Sequence, residues 1–124
     1  MYLVTKLHFH RKSKKLDVHF DDDVIYTLPC EYLRTHSPSA EVQGHGAEQS
    51  KLVLNKDAVT ITALEPVGHY AVRLSFDDGH NSGLFSWQYL RELGVNHTTY
   101  WQTYCDRVAQ HNKQAHSVPI KFIP

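Results

Sequence analysis

The sequence carries no net charge, since 13 Lys and Arg balance 13 Asp and Glu over 124 residues. Binding to nucleic acid or to an anionic membrane by counterion release needs a basic face, and this composition offers no excess from which to build one. The one basic run, Arg11-Lys12-Ser13-Lys14-Lys15, is short and reads as a hairpin tip. Cysteine is scarce: Cys30 and Cys105 stand far apart with no companion, which excludes a cysteine-only metal site and reads as two free thiols in a reducing compartment. Residues 1–6 lack the apolar run of a signal peptide and nothing later approaches membrane-spanning length, so the expected location is the cytoplasm. Catalytic signatures are missing too. No G-x-S-x-G elbow is present, and Gly44-His45-Gly46 is too short, with no helix pattern behind it, to cradle a phosphate. The expectation is a protein that is not itself an enzyme.

What remains is an ordinary globular composition, 41% hydrophobic and 21% charged, of a size that buries a core without staples. A single α+β domain over 1–124 is expected, with a small, mainly antiparallel sheet, short helices and a C-terminal helix. The unusual count is ten histidines, side chains that ligate metals when neutral and change charge near physiological pH.

Alternation marks the strands. Leu7 and Phe9 alternate with polar neighbours, as do Leu16, Val18 and Phe20 beyond the basic turn, which predicts a hairpin with one apolar face. Pairing Arg11 with Leu16 would set Phe9 against Val18, Leu7 against Phe20, His8 against His19 and His10 against Asp17. A further strand is expected over 24–28, and Pro29 suits the first turn of a short helix over 30–34. Residues 37–50 are polar, with Pro38, Gly44 and Gly46, and read as a long functional loop. Residues 59–63 read as a strand, Pro66-Val67-Gly68 as a turn, and Tyr70, Val72, Leu74 and Phe76 as one buried strand face. After a polar turn over 77–83, Ser86 caps a helix over 87–93 that Gly94 ends. The last helix is expected over about 98–112, because Trp101, Tyr104, Cys105 and Val108 share one face.

Two histidine patterns invite a metal. His19-Phe20-Asp21 matches the first two ligands of an iron(II) facial triad, and strand alternation would point both to one side. That side is the solvated face of the hairpin, so the reading adopted is an exposed polar face. His8, His10 and His19 read as exposed residues that catch nickel or zinc adventitiously.

The segments Leu28-Pro29-Cys30-Glu31-Tyr32-Leu33-Arg34, Ser37-Pro38-Ser39-Ala40-Glu41, Glu65-Pro66-Val67-Gly68-His69-Tyr70-Ala71-Val72, and Asp78-Gly79-His80 followed by Trp87-Gln88-Tyr89-Leu90 occur in that order. Over residues 3–94 the chain resembles the N-terminal domain of gamma-butyrobetaine hydroxylase, in its small stand-alone DUF971 form. In the hydroxylases this domain precedes a catalytic iron/2-oxoglutarate domain, and similar domains end P-loop iron–sulfur scaffold proteins. The resemblance thus implies a non-catalytic accessory or adaptor module whose unknown protein partner is a metalloenzyme or an iron–sulfur scaffold. It leaves two alternatives, a component of an iron/2-oxoglutarate oxidoreductase system and an iron–sulfur assembly helper.

The resembled domain holds zinc with cysteines spaced C-x-C-x-x-C and the histidine of the Asp-Gly-His turn. By position these fall on Ser37, Ser39, Val42 and His80, so one ligand of four is kept. Hydroxyls are poor zinc ligands and valine is none. The expected binding site is therefore a polar cluster of Arg34, His36, Ser37, Ser39, Glu41, His45 and Trp87, with His80 as a weak metal contact. No tightly bound cofactor is expected, only a weakly held divalent ion.

Overall fold

A computed structural model describes residues 2–38, 52–81 and 83–116. The chain builds β1 (Val4–His10), β2 (Lys15–Phe20), β3 (Ile25–Pro29), α1 (Cys30–Thr35), β4 (Ile61–Val67), β5 (Ala71–Phe76), β6 (Gly83–Ser86), α2 (Trp87–Val95) and α3 (His97–His116). The expected α+β class holds, with its C-terminal helix. The strands form two three-stranded antiparallel sheets, β1-β2-β3 and β4-β5-β6, where one was expected.

The first hairpin forms with a register two residues away from the expected one. Phe9 faces Leu16, Leu7 faces Val18, and Val4 faces Phe20. The turn occupies 11–14, one residue earlier than the apolar pattern alone suggests, with Lys14 at φ 55°. A two-residue slip leaves every side chain on its own face, so alternation could not distinguish the two registers. Lys14 is held in place from outside the hairpin: its carbonyl accepts from the Cys30 amide at 2.9 Å, and its ammonium donates to the Ala58 carbonyl at 2.9 Å.

In the second sheet, β5 presents Val72, Leu74 and Phe76 to the core, but Tyr70 lies outside the strand in the preceding turn and is 56% exposed. Pro66 lies inside β4, opposite Val72, where a turn was expected. This is an edge strand, which tolerates a residue without an N–H. Strand β6 was not expected, since Gly83 reads as the end of a turn and Ser86 as a helix cap. Its alternation of buried Gly83 and Phe85 with exposed Leu84 is too brief to read without a partner.

Helix α2 begins as the sequence suggests, with the Ser86 hydroxyl accepting from the Tyr89 amide at 3.0 Å. It does not end at Gly94, which is buried inside it. A Cβ at Gly94 would lie 2.4 Å from the Tyr26 ring, so the glycine lets α2 lie against β3 rather than stopping the helix. Two further ties bring these parts together: the buried Tyr32 hydroxyl donates to the Leu93 carbonyl at 2.7 Å, and Arg91 grips both oxygens of Asp22 while lying 3.9 Å above the Tyr2 ring.

One core joins the described elements. Leu16, Val18, Phe20 and Leu28 from the first sheet, Leu33 from α1, Val72, Leu74, Phe76 and Phe85 from the second sheet, and Leu90 and Leu93 from α2 form one buried cluster. Among the described residues, no helix is long and apolar enough to cross a membrane.

Candidate functional site at the end of α1

Helix α1 runs from the end of β3 into the core and stops at His36. Its last turn carries Arg34, about nine-tenths buried, and Ser37 follows, fully buried. The turn after β5 approaches it: the Phe76 amide donates to the His80 carbonyl at 2.9 Å, and this closure places Asp78 and His80 beside α1.

Asp78 is the hub. Its Oδ2 accepts from Arg34 Nε at 2.8 Å and from Lys56 Nζ at 2.7 Å, and its Oδ1 accepts from the His80 amide at 3.0 Å. Burial alone would push this carboxyl up. The hydrogen bonds from Lys56, the His80 amide and Arg34 outweigh burial and hold it well below the usual carboxylate range. Beside it, His80 Nε2 and Ser37 Oγ share a hydrogen bond of 3.0 Å, with both residues buried. Gly83 is required here, because a Cβ would lie 2.3 Å from Ser37 Oγ. One polar atom is not served: Arg34 Nη1 is buried and has no hydrogen-bond partner among the described residues.

The structure thus brings Arg34, Ser37 and His80 together and adds Asp78 and Lys56, which the sequence reading did not select. Their signal was indirect, since a buried arginine needs a counter-charge. His36 faces another way. Its Nδ1 lies 2.9 Å from the Tyr32 carbonyl, and its ring packs near Tyr32, Tyr100 and Tyr104. Burial pushes the His36 imidazole below its ordinary value, partly offset by the Tyr32 and Tyr100 carbonyls. The His36 carbonyl also accepts from the Tyr89 hydroxyl at 2.5 Å, tying α2 to the end of α1. Trp87 is bound elsewhere, donating to the His69 carbonyl at 2.8 Å in the β4–β5 turn. Ser39, Glu41, Val42 and His45 lie outside the described residues.

The two thiols are free: Cys30 is buried, Cys105 partly so. Burial pushes the Cys30 thiol up, away from the reactive thiolate.

Residues 7–91 match the family model of the gamma-butyrobetaine hydroxylase-like N-terminal domain. The chain belongs to this family. A crystal structure of a protein of unknown function of the DUF971 family, from Acidithiobacillus ferrooxidans, is 35% identical, with 74% of this chain and 92% of that one covered and a TM-score of 0.63. Two solution NMR structures cover all of this chain: one is 40% identical over 99% of its own length with a TM-score of 0.77, the other 41% identical over 95% with a TM-score of 0.78. A search of curated proteins found no match.

Proposed function

We propose that this member of the gamma-butyrobetaine hydroxylase-like N-terminal family is a non-catalytic accessory module that binds a protein partner through the surface around Arg34, Asp78 and His80. The observation that carries the reading is Arg34, a guanidinium about nine-tenths buried whose Nη1 lacks an acceptor among the described residues. A buried donor left unmade costs about 1–3 kcal/mol, and a partner whose docking shifts the end of α1 enough to admit a carbonyl or carboxylate oxygen recovers it. The partner is then a protein offering such an oxygen, and a metalloenzyme or an iron–sulfur scaffold is the class that the family's domain contexts imply. A cytoplasmic setting agrees with two free thiols.

The residues do not fit the zinc ion of the resembled domain. Tetrahedral zinc needs thiolates or imidazoles, whereas Ser37 offers a neutral hydroxyl already bonded to His80, and Ser39 and Val42 stand at the remaining positions. In this reading a hydrogen-bonded cluster has replaced the metal, no cofactor is tightly held, and a divalent ion at His80 has only a weak, exchangeable contact.

Capture from native cells tests the binding role. Wild-type bait should retain a partner that an Arg34→Gln bait, checked for folding, loses; identical capture by both baits, or turnover of 2-oxoglutarate by the purified chain, would overturn it. Elemental analysis after chelator dialysis tests the lost zinc. The parent should hold none, and the triple variant Ser37→Cys, Ser39→Cys, Val42→Cys should hold one.

A further inference from the structure

The solvated face of the first sheet carries a second polar group, independent of the cluster at α1. His8 and His10 are two apart on β1 and share a face. Asp17 lies directly opposite His8 on the central strand β2, and Thr27 of β3 lies opposite Asp17. The result is a row across three strands, fixed by the ladder rather than by loops. One ring nitrogen from each histidine and a carboxylate oxygen of Asp17 all lie within 4.8 Å of one another, the one such convergence of three ligating groups among the described residues. The expected grouping of His8 and His10 with His19 is corrected by the register: His19 faces Lys6, and Asp17 takes its place.

We infer that His8, His10 and Asp17 form an open, three-ligand site for a divalent first-row transition ion, with zinc as a representative occupant. Two imidazoles and a carboxylate are the donors that such ions prefer, whereas magnesium and calcium favour all-oxygen shells. The spacing is already close. His10 Nε2 and Asp17 Oδ2 are 2.8 Å apart, joined by a proton. Tetrahedral ligands at about 2.0–2.2 Å from a zinc ion stand roughly 3.3–3.6 Å from each other, so the ion takes that proton's place once the His10–Asp17 pair opens by about half an ångström or more and His8 closes in from within 4.8 Å. The proton leaves to solvent, or the His10 ring keeps a single proton on its other nitrogen.

Support around the ligands points the same way. The Thr27 hydroxyl donates to Asp17 Oδ1 at 2.7 Å, fixing the carboxylate with Oδ2 turned toward His10. The His8 and His10 rings already lie 4.3 Å apart, centre to centre. Three protein ligands leave positions for water or for a ligand from another molecule, as in sites that exchange their metal. Lys15 faces His10 across the hairpin, and its charge opposes the cation, which makes the site one of moderate affinity.

Zinc chloride titrated into chelator-treated protein, read by calorimetry and by amide NMR, tests the inference. One zinc per chain is expected, with shifts centred on residues 8, 10, 17 and 27. His8→Gln, His10→Gln and Asp17→Asn should each weaken binding about ten-fold or more, and Thr27→Val by less, while His19→Gln and His80→Gln leave it unchanged and magnesium does not compete. Because these ligands are on a solvated sheet face, unchanged amide spectra elsewhere will show that the variants fold. Absence of zinc-induced shifts at about 1 mM metal, or affinities within two-fold of wild type for all three ligand variants, would overturn the site. Sensitivity to His80→Gln but not to Asp17→Asn would also overturn it, and would leave the partner-binding reading untouched.

Discussion

His80 and His10 each sit beside a side-chain oxygen of another segment at nearly the same distance. His80 lies 3.0 Å from Ser37 Oγ at the end of α1, and His10 lies 2.8 Å from Asp17 Oδ2 on the first sheet. They differ in their surroundings. The first pair is enclosed with Arg34, and each polar group there depends on its neighbours because water is out of reach. The second has a His10 side chain that is 40% exposed, so water replaces whatever a substitution removes. Similar chemistry is therefore structural in one place and free to exchange ligands in the other.

Asp78→Asn probes the enclosed side hardest. The amide retains the shape but leaves the buried Arg34 without its counter-charge, so a loss of about 3 kcal/mol is expected by urea denaturation, the upper end for a buried donor left unmade. A loss below about 1 kcal/mol would show that the cluster is solvated after all. Ser37→Ala should cost about 1–3 kcal/mol, because it takes a hydrogen bond from buried His80 without removing the imidazole.

Acid should act next. His36 is buried with its value lowered, so the unfolded chain takes up protons near pH 6.5 that the native chain resists. This contribution is fully present above about pH 6.5 and is lost as pH falls below it, while His36→Gln should flatten that slope. Asp78 acts lower on the scale: its depressed value gives stability above about pH 4 that is lost with further acidification. The exposed side supplies the smallest effect. Asp17→Asn should change stability by no more than about 0.5 kcal/mol, although it weakens zinc binding. A large loss there would erase the contrast between the two places.

Much of this was legible from the residues. Alternation identified β1, β2 and β5, Ser86 marked the start of α2, and the Asp-Gly-His segment pointed to His80. The remainder depended on partners that a sequence does not display. Gly94 reads as a helix stop until Tyr26 is seen to occupy the space its side chain would need. The hairpin register was hidden because a two-residue slip preserves the apolar face, and with it went the pairing of His8 with Asp17. Lys56 and Asp78 were overlooked because the first lies 22 residues from Arg34 and the second 44, and only folding brings the three charges together.

The placement of Pro66 bears on how copies of this chain treat one another. Each three-stranded sheet has two outer strands, and an outer strand is a template onto which a neighbour's backbone can zip. Pro66 removes a donor from the border of β4, and irregular spacing between Ile61 and Ala63 bends the same strand. On the other sheet, β1 is irregular between Val4 and Lys6, and β3 ends in Pro29. Three of the four borders thus carry a feature that discourages stacking into fibres, and the fourth, β6, is only four residues long and offers a neighbour little backbone to pair with.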